Sequence, residues 1–293
     1  MDVILVYDGL GNQLSRYALY LSKKLKGQNV RCEFFSTDHN GIELDRLFGI
    51  NTKGTLLDFF LRGIWGVLWL ERCPSLSKPL RKILKKMGVN IVFENCNFTF
   101  RQDVLSGVSG QGLTFYCGGW LNPKYFADIR DTLLSLYRFP DLDERNMMIL
   151  KEAENPAAVA IHVRGGDYIN TSVYKIFGSV CRETYYQNAM TYMEGIVSDP
   201  IYYVFTNDKK YATKVLMGKK CVYVCNNEGT DSWKDLALMS RFKNIIIPNS
   251  TFSWWAAYLG EDGKCVLRPP VFMNGNKSSS DIYPNEWIEI SNE

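Results

Sequence analysis

Short apolar segments alternate with helical segments through the second half of the 293-residue chain, and this alternation constrains the fold more than any other feature. Five segments indicate strands, over 157–163, 201–206, 221–225, 244–248 and 264–269. Four segments with helical spacing separate them, over 182–197, 210–217, 231–242 and 251–260. Strands that alternate with helices form parallel sheets covered on both faces. We therefore predict an α/β fold in which the residues that follow the strands meet at one edge.

The N-terminal segment begins a second unit of the same kind. A strand at Val3–Tyr7 leads through a glycine turn into a helix whose apolar residues recur at i, i+3, i+4 and i+7. Gly27 ends that helix, and residues 30–35 form the next strand. The region 88–150 is less regular, and the polar stretch 150–156 is the best linker. We predict an N-terminal domain over 1–154 and a C-terminal domain over 155–293.

Composition excludes several classes of function. Only His39 and His162 are present, so a zinc site with several imidazoles is excluded. Lys and Arg total 34 against 31 Asp and Glu, a balance too mild for a nucleic-acid-binding surface. The N-terminus has no signal-peptide pattern, which predicts a cytoplasmic protein. The longest apolar stretch, residues 56–70, is too short and too charged to span a membrane.

A basic segment follows that apolar stretch. Residues 72–88 carry six basic residues and no acidic one, with apolar residues at helical spacing. One interpretation is an amphipathic core helix with a solvated basic face. The other is a surface that rests on anionic lipid, which would place the protein peripherally at the inner face of the membrane, or that binds an anionic acceptor.

Two junctions between strand and helix contain glycines. The first, Gly9–Gln13, partly matches a dinucleotide-binding turn, with Glu33 a weak candidate for the ribose; a plain tight turn is the alternative. The second runs from His162 to Tyr168. Its Arg164 can grip phosphate with a two-pronged guanidinium, and glycines 165 and 166 admit a ligand close to the backbone. A structural Arg–Asp pair is the alternative there.

Two further junctions carry small polar residues. Asn207 and Asp208 follow a strand, a pair that is also common in turns and helix caps. Residues 249–253 run from a strand into a helix, where hydroxyls and free N–H groups make an anion site or a simple cap. Together the four junctions indicate a site for a diphosphate at one edge of the sheet.

The same residues carry a family resemblance. GLGNQ, HVRGGDY, FTND, NSTFSWWAAYL and CGGWLNPKYFADIR together resemble the bacterial branch of the inverting α-1,2-fucosyltransferases, glycosyltransferase family 11, over about residues 7–260. The resemblance implies a GT-B fold, with two Rossmann-like domains facing across a cleft. It also implies GDP-β-L-fucose as donor, no metal or other cofactor, and transfer with inversion to the 2-hydroxyl of a galactose. A galactose-terminated oligosaccharide or a lipid-linked glycan is the expected acceptor.

The resemblance assigns roles residue by residue. Arg164 matches the essential arginine that binds pyrophosphate, Asp235 matches the carboxylate that reads guanine, and Asn12 matches the asparagine that faces fucose or acceptor. The predicted catalytic residues are Arg164, Asp167 and Asn12. For the base, the mechanism leaves Asp8 and Asp167 as candidates, and a strongly dissociative transition state would need no base. The predicted donor-binding residues are Gly11, His162, Arg164, Asp208, Asp235, Ser250, Thr251, Phe252 and Ser253.

One position departs from the family pattern. The family commonly has a second arginine after the first, and here that residue is Gly165. This departure leaves open a transferase that uses a different GDP-sugar or a protein acceptor. A non-catalytic binder of nucleotide or glycan is a further alternative, which the presence of Arg164 and the Ser250–Thr251 pair disfavours.

Overall fold

The computed structural model describes residues 1–69, 79, 82–107, 112–166, 168, 174–276 and 281–292. The chain divides into two compact units, Met1–Arg138 and Phe139–Glu293. Each unit is built around a parallel sheet with helices, which is the predicted α/β class with two Rossmann-like domains, as in the GT-B fold. In the described part of the chain, no helix has the length and apolar character that a membrane crossing needs.

The first unit has a four-stranded parallel sheet in the order β2-β1-β4-β3. Its strands are β1 (Asp2–Val6), β2 (Val30–Phe34), β3 (Val89–Phe93) and β4 (Leu113–Cys117). Its helices are α1 (Leu10–Leu25), α2 (Leu44–Phe48), α3 (Leu56–Trp69), α4 (Gln102–Ser106) and α5 (Arg130–Leu136). Strands β3 and β4 lie in the region that the sequence pattern left irregular. The five-residue α4 is too short to show helical periodicity, so the β-α-β alternation is hidden there.

The second unit has a six-stranded parallel sheet in the order β10-β9-β8-β5-β6-β7. Its strands are β5 (Ala158–Val163), β6 (Ile201–Thr206), β7 (Cys221–Val224), β8 (Asn244–Ile246), β9 (Cys265–Arg268) and β10 (Ile288–Glu289). Its helices are α6 (Glu144–Glu152), α7 (Glu183–Ile196), α8 (Lys209–Val215), α9 (Trp233–Met239) and α10 (Thr251–Tyr258). All five predicted strands are present. Every residue of the central β5 is buried, because strands on both sides and helices on both faces cover it.

The boundary between the units lies before residue 139, earlier than the predicted boundary after residue 154. Helix α6 belongs to the second unit because its side chains bond there. Asn146 donates to Asn227 at 3.0 Å, and Lys234 forms an ion pair with Asp143 at 2.9 Å. The Phe139 ring also stacks on Trp233. The polar stretch 150–156, predicted as the linker, is instead the end of α6 and the turn into β5.

Candidate functional site

The predicted site residues of the second unit follow strands that are neighbours in its sheet. Strand β5 lies between β8 and β6, and all three run parallel. Arg164 follows β5, Asn207 and Asp208 follow β6, and Ser250 comes shortly after β8. Because parallel strands end at the same edge, these residues share the carboxyl edge of the sheet, where α/β proteins bind ligands. Asp167 falls outside the described residues, so its predicted role stays a prediction.

His162, the second-last residue of β5, is only 4% exposed. Burial, and then the charge of Arg164, lower the pKa of its imidazole to about 3. The ring is therefore neutral at physiological pH. It lies 6.0 Å from the ring of Phe252, and its Nδ1 has no hydrogen-bond partner among the described residues. A neutral imidazole at this place can pack and hydrogen-bond, but it adds no positive charge for a phosphate.

Arg164 places a positive charge at this edge. Its backbone N–H donates to the hydroxyl of Tyr186 at 3.2 Å, which fixes where the chain leaves β5. The guanidinium carbon lies 5.1 Å from the ring centre of Tyr168. The Tyr168 hydroxyl in turn donates to the carbonyl of Asn249, just before α10. The loop that carries Arg164 is thus tied to the start of α10.

Asn207 and Asp208 each accept a hydrogen bond from one of the two glycines after Arg164. Gly165 N–H donates to Asn207 Oδ1 at 2.9 Å, and Gly166 N–H donates to Asp208 Oδ2 at 3.3 Å. The other oxygen of Asp208 accepts the N–H of Tyr211 and so caps α8. Asp208 was predicted to bind the donor, and in the structure its carboxylate holds the loop of Arg164 in place.

The packing of this loop against Asp208 explains the departure at Gly165. A Cβ atom on Gly165 would lie 2.6 Å from the Cβ of Asp208, a distance that non-bonded carbons do not reach. An arginine at this position therefore does not fit the loop as it stands. The glycine is required by the close approach of the loop to Asp208.

The start of α10 forms the other side of the site. The side chain of Asn249 donates to the carbonyls of Phe177 and Phe272, which anchors the turn. Ser250 is the N-cap residue, and its side chain makes no capping bond. The first backbone N–H groups of a helix lack partners within the helix and carry a partial positive charge. Ser253 lies in this first turn, fully buried, and its Oγ has no hydrogen-bond partner among the described residues.

Helix α10 is held rigidly by its aromatic residues. Trp254 and Trp255 are both fully buried, and the indole N–H of Trp254 donates to the carbonyl of Ile282 at 2.8 Å. A helix that is apolar on all sides is buried on all sides. Only Thr251 and Phe252, in its first turn, are partly exposed before the buried run from Ser253 to Tyr258. The N-terminus of α10 is therefore the end of the helix that a ligand can reach.

Asp235, in the first turn of α9, carries an unusual carboxyl group. Burial raises its pKa to about 7, and the hydrogen bond that Asn227 donates to Oδ1 at 2.7 Å opposes this rise. Asn227 exchanges two hydrogen bonds with the buried Asn146 of α6, at 2.8 and 3.0 Å. Asn227 was not predicted. The sequence did contain a signal for it, because the polar pair Asn226 and Asn227 closely follows β7, just as Asn207 and Asp208 follow β6.

Gly11 and Asn12 lie in the first unit, at the start of α1. Gln13 beside them is fully buried, and its amide donates to the carbonyls of Asp8 and Gly41 while accepting from the N–H of Glu43. Gly11 is buried in the same turn, whereas Asn12 is partly exposed. Gln13 is thus the structural member of this turn, and Asn12 can face a ligand.

The candidate base Asp8 and the candidate ribose ligand Glu33 are both engaged elsewhere. Asp8, at a φ of 63°, accepts from Arg16 at 2.9 Å, and Arg16 also bonds the carbonyl of Gly118. Glu33 is 2% exposed and accepts from Arg31 at 3.1 Å. Burial, and then the neighbouring Asp58, raise the pKa of Glu33 to about 8. Glu33, a residue of β2, thus belongs to a buried polar cluster with Arg31 and Asp58. The carboxylate that the dinucleotide alternative needs to bind the ribose is therefore engaged within the protein.

The family model described as Glycosyl transferase family 11 matches residues 76–291. The chain is 28% identical to an alpha-1,2-colitosyltransferase of Escherichia coli over 96% of both chains. It is 28% identical to the O-antigen biosynthesis glycosyltransferase WbnK of Escherichia coli over 96% of this chain and 98% of the relative. A galactoside alpha-(1,2)-fucosyltransferase 1 of Leontopithecus chrysomelas is 27% identical over 57% of this chain and half of its own length.

Among solved structures, fucosyltransferase NodZ from Bradyrhizobium is similar with a TM-score of 0.49 and 12% identity, over 88% of this chain and 93% of that one. The heptosyltransferase WaaC of E. coli is similar with a TM-score of 0.43 and 10% identity, over 99% and 93%. These scores are too low to carry a functional comparison, and the two parallel sheets themselves define the fold.

Proposed function

The chain belongs to glycosyl transferase family 11, and on that premise we propose that it moves L-fucose from GDP-β-L-fucose to the 2-hydroxyl of a galactose, with inversion. Glycosyl transfer of the fucosyltransferase type follows from the family and its relatives. The single observation that supports the finer proposal is the juxtaposition of Arg164 with the N-terminus of α10 at neighbouring strand ends.

This juxtaposition suits a nucleoside diphosphate as leaving group. When the bond between the sugar and the β-phosphate breaks, negative charge grows on the phosphate oxygens. The guanidinium of Arg164 and the N–H groups at the start of α10 are placed to stabilise that charge, with Ser253 Oγ as a further donor. These groups provide the positive potential that other transferases obtain from a divalent cation, so we propose that transfer proceeds without a metal.

Asp235 supports guanine as the base of the donor. The carboxylate can accept both the N1–H and the N2–H of guanine, whereas adenine offers no such pair. Asn227 and Asn146 hold the carboxyl in one orientation, so the acceptor geometry exists before the nucleotide arrives. We propose that His162 packs near the nucleotide as a neutral ring.

The Asp235 proposal predicts a pH-dependent affinity for GDP. Only the ionised carboxylate accepts two N–H donors, and the pKa of the free enzyme's carboxyl is about 7. The affinity for GDP is therefore at its maximum well above pH 7. It falls as the pH drops below 7, by up to about tenfold per pH unit. Asp235→Asn should weaken GDP binding by about tenfold or more at pH 8 and remove this dependence, because hydrogen bonds to a charged group contribute about 1.5–3 kcal/mol.

Calorimetric titration with GDP, IDP and ADP between about pH 6 and pH 8 checks this. Asp231→Asn is the control, since Asp231 is a half-exposed carboxylate four residues away that pairs only with Lys234 in the described bonds. Equal affinity of the unchanged protein for GDP and ADP, or a pH profile that survives Asp235→Asn, contradicts the assignment of Asp235.

A second donor sugar is favoured by one relative. The alpha-1,2-colitosyltransferase matches this chain along almost its whole length. Colitose is fucose without the 3-hydroxyl, so a site built for one sugar is near to fitting the other. The loop at Gly165, where the family pattern has an arginine, is the part of the donor site that differs. These alternatives are separated by measuring transfer rates from GDP-fucose and from GDP-colitose, each with galactosides and with a protein as acceptor.

We also propose that the acceptor is presented at an anionic bilayer, as a lipid-linked glycan would be. Of the predicted basic segment 72–88, only 79 and 82–88 are described. Leu84 there packs in the same apolar cluster as Ile64 and Trp65 of α3, so the two stretches are neighbours. Their most exposed apolar residues are Leu56 (85%), Phe59 (77%), Phe60 (68%), Ile83 (54%) and Met87 (73%). The exposed Lys82, Lys85 and Lys86 flank them, which is the pattern of a surface that enters an anionic interface.

This surface predicts selective binding to anionic vesicles. Three lysines near the interface contribute about 1 kcal/mol each, so partitioning should be about a hundredfold stronger with phosphatidylglycerol than with phosphatidylcholine alone. The double change Phe59→Ser and Phe60→Ser should abolish cosedimentation, and Met217→Ser, an equally exposed apolar residue of the second unit, should not. Negligible sedimentation with both vesicle types, or a shift to dimers instead, overturns the membrane assignment.

A further inference from the structure

Glu94 is a carboxylate at the carboxyl edge of the first unit's sheet that no part of the proposed mechanism has used. It comes directly after β3, and the turn from Gly118 to Trp120 comes directly after the neighbouring β4. The N–H groups of Gly119 and Trp120 both donate to Glu94 Oε2, at 2.7 and 2.9 Å. The other oxygen, Oε1, is shielded from solvent and has no hydrogen-bond partner among the described residues.

The glycines of that turn keep a space open beside the carboxylate. A Cβ atom on Gly118 would lie 2.4 Å from the Cβ of Glu94, so only glycine allows this close approach. A Cβ atom on Gly119 would lie 3.5 Å from Glu94 Oε2 and 3.9 Å from Asn12 Oδ1. The absent side chain of Gly119 therefore leaves a cradle that is flanked by the carboxylate on one side and the amide oxygen of Asn12 on the other.

The charges around Glu94 come from several elements. Arg16 of α1 faces it, but Arg16 is also paired with Asp8 at the end of β1. Tyr7, which leads into Asp8, and Tyr125 also face it, and both phenols are neutral at physiological pH because burial raises the pKa of each. Burial raises the pKa of Glu94 to about 7, while the N–H groups of Trp120 and Gly119 and then Arg16 oppose this rise. A carboxylate in this state accepts protons far better than one in water.

We propose that Glu94 is the catalytic base of the transfer and that Asn12 positions the acceptor hydroxyl above Gly119. This rests on the function proposed above. The hydroxyl oxygen attacks C1 of the donor sugar and forms the new glycosidic bond. The bond between C1 and the β-phosphate oxygen breaks, and its electron pair leaves with GDP. The proton of the hydroxyl passes to the Glu94 carboxylate and later to water.

Of the two bases predicted from the sequence, Asp8 has a different setting. Asp8 already accepts from Arg16, and Asp167 lies outside the described residues. Glu94 could alternatively be only a clamp for the Gly118–Trp120 turn. The two roles separate on substitution by glutamine, because an amide oxygen still accepts the N–H groups of Gly119 and Trp120 but an amide takes up no proton.

The test is the pH profile of transfer by the full chain, unchanged and with Glu94→Gln, using GDP-fucose and a galactoside. For the unchanged enzyme, kcat at saturating GDP-fucose should fall below pH 7 by about tenfold per pH unit, as the base becomes protonated. Saturation with the donor removes the pH dependence that Asp235 gives to donor binding. Glu94→Gln should lower kcat by about a hundredfold or more, give a flat profile, and leave the affinity for GDP within about twofold. Glu94→Asp, which keeps a carboxylate at shorter reach, should be intermediate and keep the slope.

Azide provides a second readout, since it attacks C1 without losing a proton. Formation of fucosyl azide should be nearly equal for Glu94→Gln and the unchanged enzyme, which also shows that the variant is folded. Glu33→Gln is the matched control: its carboxyl is buried in the same unit, with a pKa of about 8, and should tolerate the change.

If the unchanged enzyme transfers the sugar, near-normal turnover or an unaltered pH profile of Glu94→Gln overturns the assignment of Glu94 but not the proposed function. Loss of the azide reaction in both Glu94→Gln and Glu94→Asp also overturns the assignment of Glu94 alone. Absence of transfer by the unchanged enzyme from GDP-fucose and GDP-colitose, with every acceptor, overturns the proposed function and this assignment with it.

Discussion

Replacing Arg164 by alanine is expected to lower transfer by about a thousandfold, because removing one preorganised donor to a developing negative charge costs roughly a hundredfold to a thousandfold. The guanidinium is a cation at the carboxyl edge beside the start of α10, and His162 two residues earlier stays neutral. The N–H groups of α10 remain in the variant, so some turnover should persist. The fold should persist too, because the backbone N–H of Arg164, which bonds Tyr186, is kept.

Arg164→Lys is the informative companion variant. A lysine keeps the charge but not the planar two-pronged donor, and should recover only part of the rate. Steady-state kinetics with GDP-fucose, together with thermal unfolding, check both variants. Near-normal turnover of a folded Arg164→Ala protein would remove the guanidinium from the mechanism.

Adding a side chain at Gly165 should also have a large effect. In Gly165→Ala the new Cβ would meet the Cβ of Asp208 at 2.6 Å, and overpacking of this kind costs about 1–3 kcal/mol. Gly165→Arg, which restores the family pattern, adds a long side chain to the same conflict. Because Arg164 is adjacent, a shifted loop should also displace its guanidinium, so both stability and GDP affinity should fall.

Thermal unfolding and GDP titration of both Gly165 variants measure these effects. Gly195→Ala is the matched control: Gly195 lies in α7 of the same unit, no atom lies within 4 Å of an added Cβ, and alanine favours a helix by about 1 kcal/mol over glycine. A Gly165→Arg protein with unchanged melting temperature and affinity would show that Asp208 does not fix this loop.

The sheet of the second unit could be predicted because its strands are buried on both sides and so are apolar throughout. Strands β3 and β4 could not, since a five-residue helix between them gives no period. The unit boundary was misplaced for a different reason. Helix α6 ends in a polar stretch that indicates a linker, and tertiary contacts such as those of Asn146 with Asn227 assign it to the second unit.

The residues of the candidate site also fall into those that the sequence could predict and those that it could not. Residues that sit at strand ends, such as Arg164 and Ser250, were visible because parallel topology alone brings strand ends together. Roles that depend on a hydrogen-bond partner from elsewhere in the chain could not be predicted from the sequence. The hydrogen bond by which Asp208 holds the loop of Arg164 is one such role, and its predicted donor contact stays a prediction. Glu94 and Asn227 are single polar residues that gain their roles from the backbone and side chains that tertiary packing places against them.

Product analysis with GDP-L-fucose and a panel of galactose-terminated oligosaccharides tests the central claim most directly. The proposal predicts one new fucosyl residue per acceptor, joined to the galactose 2-hydroxyl in the α configuration, as linkage analysis and the anomeric proton coupling would show. Transfer to another hydroxyl, a β linkage, or no transfer from either GDP-fucose or GDP-colitose would contradict it.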